Sequence, residues 1–321
     1  MRAGGVSIRG VSRLFRLGRR LLWLNIIALG VFGGWYLFQP DGRQREVAQL
    51  VHNAFIAEKH VSPFEVVWDI WQLYYGDDST AALRLNADRR LAIGGLPDST
   101  AFHHGKVRVL MNSAYVVGYS ETLCGPVWAA YRIQDLDRLE PAPPRPDHFE
   151  IDMRTLARVS PEAYRKSHYD RGHLAPNHAI ATRFGEAAQR ETFLMSNIVP
   201  QSHELNAGLW KELEQRIAGN YPARYGEVWV FCGPIFPENP RRLSRRVAIP
   251  DRFFMIILDE VEGRLRSQAF VLPQDAPAGA SLAAYGTSID RIEEMTGLDF
   301  LSELDPQSVA ALEAKVTRTP W

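Results

Sequence analysis

One uncharged apolar run, at residues 21–38, sets the first limit on how this chain can fold. It reads LLWLNIIALGVFGGWYLF and contains no Asp, Glu, Lys or Arg over 18 residues. As a helix it extends about 27 Å at roughly 1.5 Å per residue, close to the hydrocarbon thickness of a bilayer, about 30 Å. Trp23, Trp35 and Tyr36 lie near its ends, where aromatic side chains favour the membrane interface. The run therefore predicts a single transmembrane helix.

A buried core helix and a cleaved signal peptide are the two alternatives for this run. It is long for the apolar region of a signal peptide, and no clear small-residue cleavage site precedes Gln39-Pro40. We therefore favour an uncleaved signal-anchor. No other segment of the sequence is long and apolar enough to span, so we expect a single-pass protein.

The charges on either side of the run predict its orientation. Residues 1–20 contain six arginines and no acid, whereas Asp41, Arg43, Arg45 and Glu46 follow the run. Positive charge beside a span favours the cytoplasmic side, so we expect everything after residue 40 on the far side. A bacterial inner membrane with a periplasmic domain is our first expectation. The acid-free, arginine-rich N-terminus also fits a mitochondrial presequence, which gives the mitochondrial inner membrane, facing the intermembrane space, as the alternative.

The formal net charge of zero hides this division. The chain has 37 basic and 37 acidic residues, and setting aside the six N-terminal arginines leaves 31 basic against 37 acidic. Residues beyond the run are therefore mildly acidic overall. At 46% hydrophobic and 23% charged, the composition excludes a disordered, collagen-like or disulfide-scaffold protein.

The rest of the sequence predicts an α+β protein. Residues 39–90 form a helical linker or accessory region, in which Ser62-Pro63-Phe64-Glu65 is a capping box that starts a helix with an aromatic stripe. We expect this stripe to pack on the main domain, with a dimer or membrane-surface contact as the alternative. Residues 91–304 contain short strands separated by irregular loops and a few helices, near 204–218 and 288–296. Residues 305–321 form a C-terminal helix and tail.

Two polar clusters carry the candidate chemistry, because the sequence has no GxSxG, GxxxxGK[ST], HExxH or paired CxxC pattern. The first is YDRGHLAP at residues 169–176, and the second is SNIVPQ at 196–201 with LNAGLWKELE at 205–214. Taken alone, Asp-Arg-Gly-His is also typical of a turn with a local ion pair. Its functional interpretation is that His173 serves as a base near neutral pH while Arg171 offers donors to a phosphate.

The second cluster predicts a helix with a metal ligand. Leucine and isoleucine recur every four residues, which indicates a helix with one buried side. Asn206 and Glu214 are about 12 Å apart along its axis, so they cannot both bind one ion directly. A single carboxamide ligand suits Mg²⁺, which keeps most of its waters. A zinc site built from His173, His178 and His203 is the alternative.

With these motifs in register, the chain resembles the sugar-non-specific DNA/RNA endonucleases of the endonuclease G type. The resemblance runs from about residue 106 to 301 and includes DRGH, SNIVPQ, LN with WKELE, VFCGPIF, VAIPDRFF and AFVLP. It implies a ββα-metal (His-Me finger) nuclease domain with a mainly antiparallel central sheet. It also implies Mg²⁺, with Mn²⁺ as a substitute, a DNA or RNA substrate, 5′-phosphate products and a homodimer.

The resemblance also assigns roles to residues. The motif histidine is the general base, the asparagine of the LN pair is the metal ligand and the helix glutamate orients metal-bound water; these are His173, Asn206 and Glu214. Arg171 and Asn197 match positions near the scissile phosphate, and Asp170 belongs to the DRGH signature. The family also uses an arginine upstream of this signature, for which Arg145 is the candidate by position only. A basic residue found one turn beyond the helix glutamate in some members is Ala218 here.

Substrate binding is expected to rest on backbone phosphates, because no base-reading element is evident. The predicted docking patch is a cluster of four arginines in six residues: Arg241, Arg242, Arg245 and Arg246. A solvated loop, or a set of salt-bridge partners for the acidic surface, is the alternative interpretation. For the whole chain, the alternatives to a membrane-anchored nuclease are a non-catalytic, membrane-tethered nucleic-acid-binding protein that retains the fold and a zinc-dependent hydrolase of another phosphoester.

Overall fold

The computed structural model describes residues 8–56, 62–75, 91–99, 104–139, 141–277 and 279–321. The chain divides into two compact units, residues 1–76 and 77–321. Part of the predicted basic N-terminus, residues 1–7, and parts of the predicted accessory region, residues 57–61 and 76–90, lie outside the described residues.

In the described residues of the N-terminal unit there are three helices, which contact one another. They are α1 (Ile8–Leu37), α2 (Asp41–Ile56) and α3 (Pro63–Tyr75). Within α1, the stretch Arg19–Leu37 has the length and composition of a membrane-crossing helix, and none of it is buried. Among the described residues this is the one helix that meets both criteria.

Helix α3 begins at the predicted capping box and buries three aliphatic side chains. The backbone N–H of Ser62 donates to Glu65 Oε2 at 2.9 Å, and the N–H of Glu65 donates to Ser62 Oγ at 3.2 Å. The buried side chains are Val66, Ile70 and Leu73. The aromatic stripe is about half exposed: Phe64 49%, Trp68 51%, Trp71 51% and Tyr75 49%. Within the N-terminal unit the stripe is therefore only half covered.

The second unit is built on a seven-stranded sheet in which every pairing is antiparallel. The strands of the unit, in chain order, are β1 (Asp98–Ser99), β2 (Val107–Met111), β3 (Tyr115–Ser120), β4 (Gly125–Gln134), β5 (Asp170–His173), β6 (Ile198–Gln201), β7 (Glu227–Ile235), β8 (Arg242–Leu243), β9 (Val247–Ala248), β10 (Arg252–Val261), β11 (Arg264–Pro273), β12 (Gly286–Thr287) and β13 (Leu298–Asp299). The spatial order of the sheet is β12-β11-β10-β7-β4-β3-β2. The predicted α+β class with a mainly antiparallel sheet is confirmed.

Six α-helices belong to the described residues of this unit. They are α4 (Asn177–Thr192), α5 (His203–Ala207), α6 (Leu209–Gln215), α7 (Tyr221–Tyr225), α8 (Ile289–Thr296) and α9 (Pro306–Glu313). Alternate side chains of β10 enter two separate cores, because successive residues of a strand point to opposite faces. Phe253 lies in the core that contains Trp210 of α6, whereas Phe254 lies in the core that contains Ile292 of α8. The sheet is thus buried on both faces.

The predicted helix at 204–218 is interrupted. Its apolar stripe is buried as expected, with Leu205, Leu213 and Ile217 fully enclosed. The chain breaks at Gly208 (φ −103°, ψ −114°), where a Cβ would lie 2.4 Å from the carbonyl oxygen of Glu204. Two short helices and a π-helical turn at Arg216–Asn220 replace the single helix. Asn206 and Glu214 therefore lie on different helices, so the predicted distance between them along a single helix axis was wrong.

Candidate active site

Two short strands and the helix pair that follows them form the framework of the site. Strand β5 pairs antiparallel with β6, with Gly172 opposite Val199. A Cβ on Gly172 would lie 2.3 Å from Gln201 Oε1, so this position requires glycine. Trp210 of α6 donates its indole N–H to the carbonyl oxygen of His173 at 3.2 Å. This bond ties the strand that carries the histidine to the helix that carries the motif glutamate.

One cavity of roughly 460 Å³ brings together five of the predicted site residues: Arg145, Arg171, His173, Asn206 and Glu214. They come from a loop, a strand and two helices, separated by up to about seventy positions in the sequence. Arg145, which was chosen by position alone, lines the cavity with the others. The cavity combines a titratable ring, a carboxamide, a carboxylate and cationic side chains, which are the groups needed to bind and cleave a phosphoester.

His173 lies in an apolar environment. Its ring packs against Phe149 at 5.5 Å and Phe193 at 5.0 Å between centroids. Burial, together with the nearby charge of Arg145, lowers the pKa of His173 to about 3, because both disfavour the imidazolium. Its Nε2 is buried and has no hydrogen-bond partner in the described part of the chain. The ring is therefore held in its neutral form at physiological pH.

Asn206 is oriented by Asp170. The amide Nδ2 of Asn206 donates to Asp170 Oδ2 at 2.9 Å, and His203 Nδ1 lies 2.9 Å from the same oxygen. Fixing the NH₂ group in this way fixes the carbonyl oxygen of the same amide, which accepts no side-chain hydrogen bond from the residues described. Asp170 is thus a positioning residue, and Asn206 offers one oxygen ligand to the cavity.

Glu214 lies half-buried in the wall of the same cavity. Desolvation raises the pKa of Glu214 to about 8, against the opposing effects of the neighbouring Trp210 indole and the charges of Arg145 and Lys211. A cation in the cavity would favour the carboxylate form, since opposite charge stabilises it. The site therefore has a carboxyl group whose ionisation depends on what the cavity binds.

Asn197 is placed beneath the site and does not line the cavity. Its Oδ1 accepts the backbone N–H of Ala175 at 2.9 Å, and its Nδ2 donates to the carbonyls of Ala175 at 3.0 Å and Thr192 at 2.9 Å. These bonds use the whole amide to join the end of β5 to the end of α4. The structure thus corrects the predicted phosphate contact, because the side chain has no group left to offer a substrate.

The four-arginine patch separates into two pairs. Arg241 and Arg245 are exposed. Arg242 donates to the carbonyls of Thr122 at 3.0 Å and Arg246 at 2.6 Å, and Arg246, only 5% exposed, donates to the carbonyl of Ala157. The docking prediction is corrected for Arg242 and Arg246, because their guanidinium groups hold the β8–β9 hairpin to neighbouring loops.

Sequence analysis missed further cavity residues. Lys211 lies between Trp210 and Glu214 of the helix motif and lines the cavity together with Ala218. It supplies positive charge on the wall where some members of the resembling family have a basic residue and this chain has alanine. The sequence contained a signal for this residue, because Lys211 is the lysine of the WKELE motif. Asn177 also lines the cavity, at the start of a helix that the sequence pattern did not indicate, next to His178, which the sequence analysis named only for the alternative zinc site.

The family described as DNA/RNA non-specific endonuclease matches residues 99–307. The chain belongs to this family. The matched span contains every strand of the central sheet and every residue of the cavity. Membership confirms the resemblance and the predicted enzyme class, an endonuclease that acts on nucleic acid.

The endonuclease has relatives in animals and bacteria. It is 30% identical over 259 residues to the mitochondrial nuclease EXOG of Danio rerio, covering 75% of this chain and 73% of the relative. It is 29% identical over 235 residues to mitochondrial endonuclease G of Homo sapiens, covering 67% and 74%. It is 29% identical over 222 residues to a nuclease of Nostoc sp., covering 65% and 78%.

The fold is also found in a solved structure. One chain of a crystal structure of the EndoG/EndoGI complex matches with a TM-score of 0.56 at 22% identity, over 68% of this chain and 93% of the other. The endonuclease therefore shares the mixed helix and antiparallel-sheet fold of that protein.

Proposed function

We propose that the chain is a membrane-anchored, magnesium-dependent endonuclease that hydrolyses phosphodiester bonds of DNA or RNA without reading sequence. The observation that carries this proposal is the single cavity that contains His173, Asn206, Glu214 and two arginines. A scaffold protein that only bound nucleic acid would need the arginine side chains but would not need the histidine of the cavity. The retained set therefore favours catalysis over the non-catalytic alternative.

His173 is the general base in this proposal. The proton of the attacking water goes to the ring nitrogen that faces the substrate. Burial keeps the ring neutral at neutral pH with a pKa of about 3, so it can act as a base only when substrate binding raises that pKa. A phosphodiester bound beside the ring adds negative charge, which opposes the effect of Arg145 and stabilises the imidazolium that forms.

The arginines bind and orient the phosphate. Arg171 lies with its guanidinium over the ring of Phe149 at 4.7 Å, and Arg145 over the ring of Phe193 at 5.1 Å. Both rings also pack on His173, so the two guanidinium groups and the base are held by the same aromatic pair. Fork-shaped donors fixed in this way suit a phosphate whose charge increases in the transition state.

The donor set of the cavity fits Mg²⁺ better than zinc. Among the described residues no three His, Cys, Asp or Glu side chains gather to hold a metal, whereas zinc needs three or four such ligands. Asn206 would hold the ion through its amide oxygen, with Glu214 orienting bound water. When bound, a divalent cation supplies positive charge against the developing charge on the phosphate and on the departing 3′-oxygen, and Mn²⁺ can substitute for it in such oxygen-rich sites.

The anchor of the endonuclease is the exposed apolar stretch of α1. It crosses the bilayer with the arginine-rich N-terminus on the cytoplasmic or matrix side, and the nuclease domain lies on the far side. The domain boundaries in this proposal are 1–20, 21–38, 39–90, 91–304 and 305–321. Mitochondrial and bacterial relatives are both compatible with this orientation.

The test of metal use is an assay of the full chain in detergent with plasmid DNA and with RNA, in Mg²⁺ or EDTA. We expect cleavage of both substrates in Mg²⁺ and none in EDTA. In the Asn206→Ala protein, Mg²⁺ added at low concentration should no longer stimulate cleavage. The Asn206→Asp protein should still be stimulated, because a carboxylate oxygen is also a magnesium ligand. Cleavage by Asn206→Ala at the wild-type Mg²⁺ dependence would exclude Asn206 as the ligand.

A further inference from the structure

Helix α3 has three distinct faces. At 100° per residue, Phe64, Trp68, Trp71 and Tyr75 lie within an arc of about 60°. The buried residues of α3 lie on the opposite side of the helix. Between these two faces is a polar edge formed by Glu65, Asp69 and Gln72. The helix therefore has a packing face, an exposed aromatic face and a polar face.

The aromatic face is continuous with the apolar surface of α1. The two helices enclose a groove of roughly 280 Å³ whose lining side chains are all aromatic or aliphatic. From α1 it includes Ala28, Phe32 and Trp35, and from α3 it includes Trp68 and Trp71. The α1 residues belong to the stretch Arg19–Leu37 that has the composition of a membrane span. Whatever surrounds this part of α1 therefore also contacts the aromatic face of α3.

We infer that α3 is a second membrane-contact element, with its aromatic stripe in the interface of the bilayer that α1 crosses and lipid acyl chains in the groove between the two helices. This inference rests on the proposed membrane anchor. Residues 28–35 of α1 cover about 10 Å along the helix axis, which agrees with the depth of roughly 5–10 Å to which an interfacial helix buries its apolar face.

The polar atoms of the groove are suited to this position. Trp35 donates its indole N–H to the hydroxyl of Tyr75 at 2.7 Å, which satisfies a donor that would otherwise be unpaired in lipid. The guanidinium of Arg43, at the start of α2, lies 5.1 Å from the centre of the Tyr74 ring. An arginine and a tyrosine paired in this way are typical of the headgroup layer, where the charge stays hydrated and the ring lies on the apolar side.

Lipid fits this surface better than a protein partner does. The stripe consists of tryptophan, tyrosine and phenylalanine, the side chains that favour the membrane interface, and no charged residue interrupts it. It also adjoins a helix surface on which Leu29 and Val31 are exposed at 46% and 67%. A second copy of the chain or another protein would have to cover both surfaces, whereas a bilayer that accepts α1 covers them without further contacts.

The experiment is nitroxide accessibility on the full chain in vesicles of phosphatidylcholine and phosphatidylglycerol. Single cysteines are introduced by Leu29→Cys, Trp71→Cys and Gln72→Cys, and each is spin-labelled. The native Cys124 and Cys232 are buried, and burial raises the pKa of the Cys124 thiol to about 12, so neither competes for the reagent. Collision with oxygen, which concentrates in lipid, is compared with collision with a water-soluble nickel complex. Circular dichroism of each labelled chain checks that the helices are retained.

We expect the oxygen-to-nickel ratio to be severalfold higher at position 71 than at the neighbouring position 72, and highest at position 29. A water-like ratio at 71 with a lipid-like ratio at 29 would overturn the interfacial position of α3 and leave the anchor in place. Low collision with both reagents at 71 would overturn it in favour of a protein partner. A water-like ratio at 29 would overturn the anchor and, with it, this inference.

Discussion

The two units of the endonuclease place their large apolar side chains in opposite environments. In β10 of the nuclease unit, Phe253 and Phe254 are fully buried although they point to opposite faces of the sheet. In α1, Leu22, Trp23 and Ile27 are exposed at 60%, 58% and 58%. Large apolar side chains exposed side by side are rare on the surface of a soluble protein, because exposed apolar area is unfavourable in water. The comparison supports the proposed membrane span in α1.

The polar groups divide in the same way. The nuclease unit contains a cavity with charged side chains and titratable groups of shifted pKa, as expected for an active site. The groove of the N-terminal unit contains no charged side chain. Catalysis and membrane attachment should therefore respond to separate sets of substitutions.

The largest effect on attachment is expected from Leu29→Arg. An arginine at the centre of a span costs about 2.5–3.5 kcal/mol, which lowers membrane partition roughly 100-fold. Leu37→Arg is the matched control, since a guanidinium at the helix end reaches the interface. Membrane fractionation measures the effect, and nuclease activity in detergent should be unchanged for both. Equal retention of both variants in the membrane fraction would argue against a span.

A smaller effect is expected from the exposed arginine pair. The double substitution Arg241→Ala with Arg245→Ala should raise KM and lower the slope of log activity against log salt by up to about two, at roughly 0.9 per phosphate contact. The matched double substitution Arg242→Ala with Arg246→Ala should lower Tm, because it leaves buried carbonyls unpaired. If the double substitution of the exposed pair changes neither KM nor the slope of log activity against log salt, these arginines do not bind substrate.

A further effect is expected on the pH dependence of stability. The pKa of Glu214 is raised from an ordinary value near 4.5 to about 8 in the fold, so its neutral form contributes stability that is fully present below about pH 4.5. This contribution is lost as the pH rises through 8. Without metal, Tm of the wild type should fall over this window relative to Glu214→Gln, which cannot ionise. Parallel Tm profiles for the two proteins would contradict a raised pKa for this carboxyl.

Much of the fold was predictable from the sequence, because strands and caps leave local signals. The alternating strands of the central sheet and the capping box at Ser62 are local patterns, and the structure contains them. Helix α4 was missed because its buried side consists mainly of small residues such as Ala179 and Ala188, and Gly185 has a non-helical conformation within it. The break at Gly208 was missed because the apolar stripe continues through it.

The site was only partly predictable, for a different reason. Motif spacing identifies residues such as His173 and Asn206, and the structure places both in one cavity. The sequence does not tell which polar side chains are used internally, so Asn197 was placed near the scissile phosphate and Arg242 and Arg246 in the docking patch.

The most direct test of the account is the rate of plasmid cleavage by His173→Ala in saturating Mg²⁺. His52→Ala is the control, because His52 is exposed on α2 of the other unit. We expect His173→Ala to lose about 10²–10⁴-fold in kcat with little change in KM, since a general base contributes a factor of this size to the chemical step. The His52→Ala protein should cleave at the wild-type rate. Equal cleavage by the wild type and by His173→Ala would contradict the proposed mechanism.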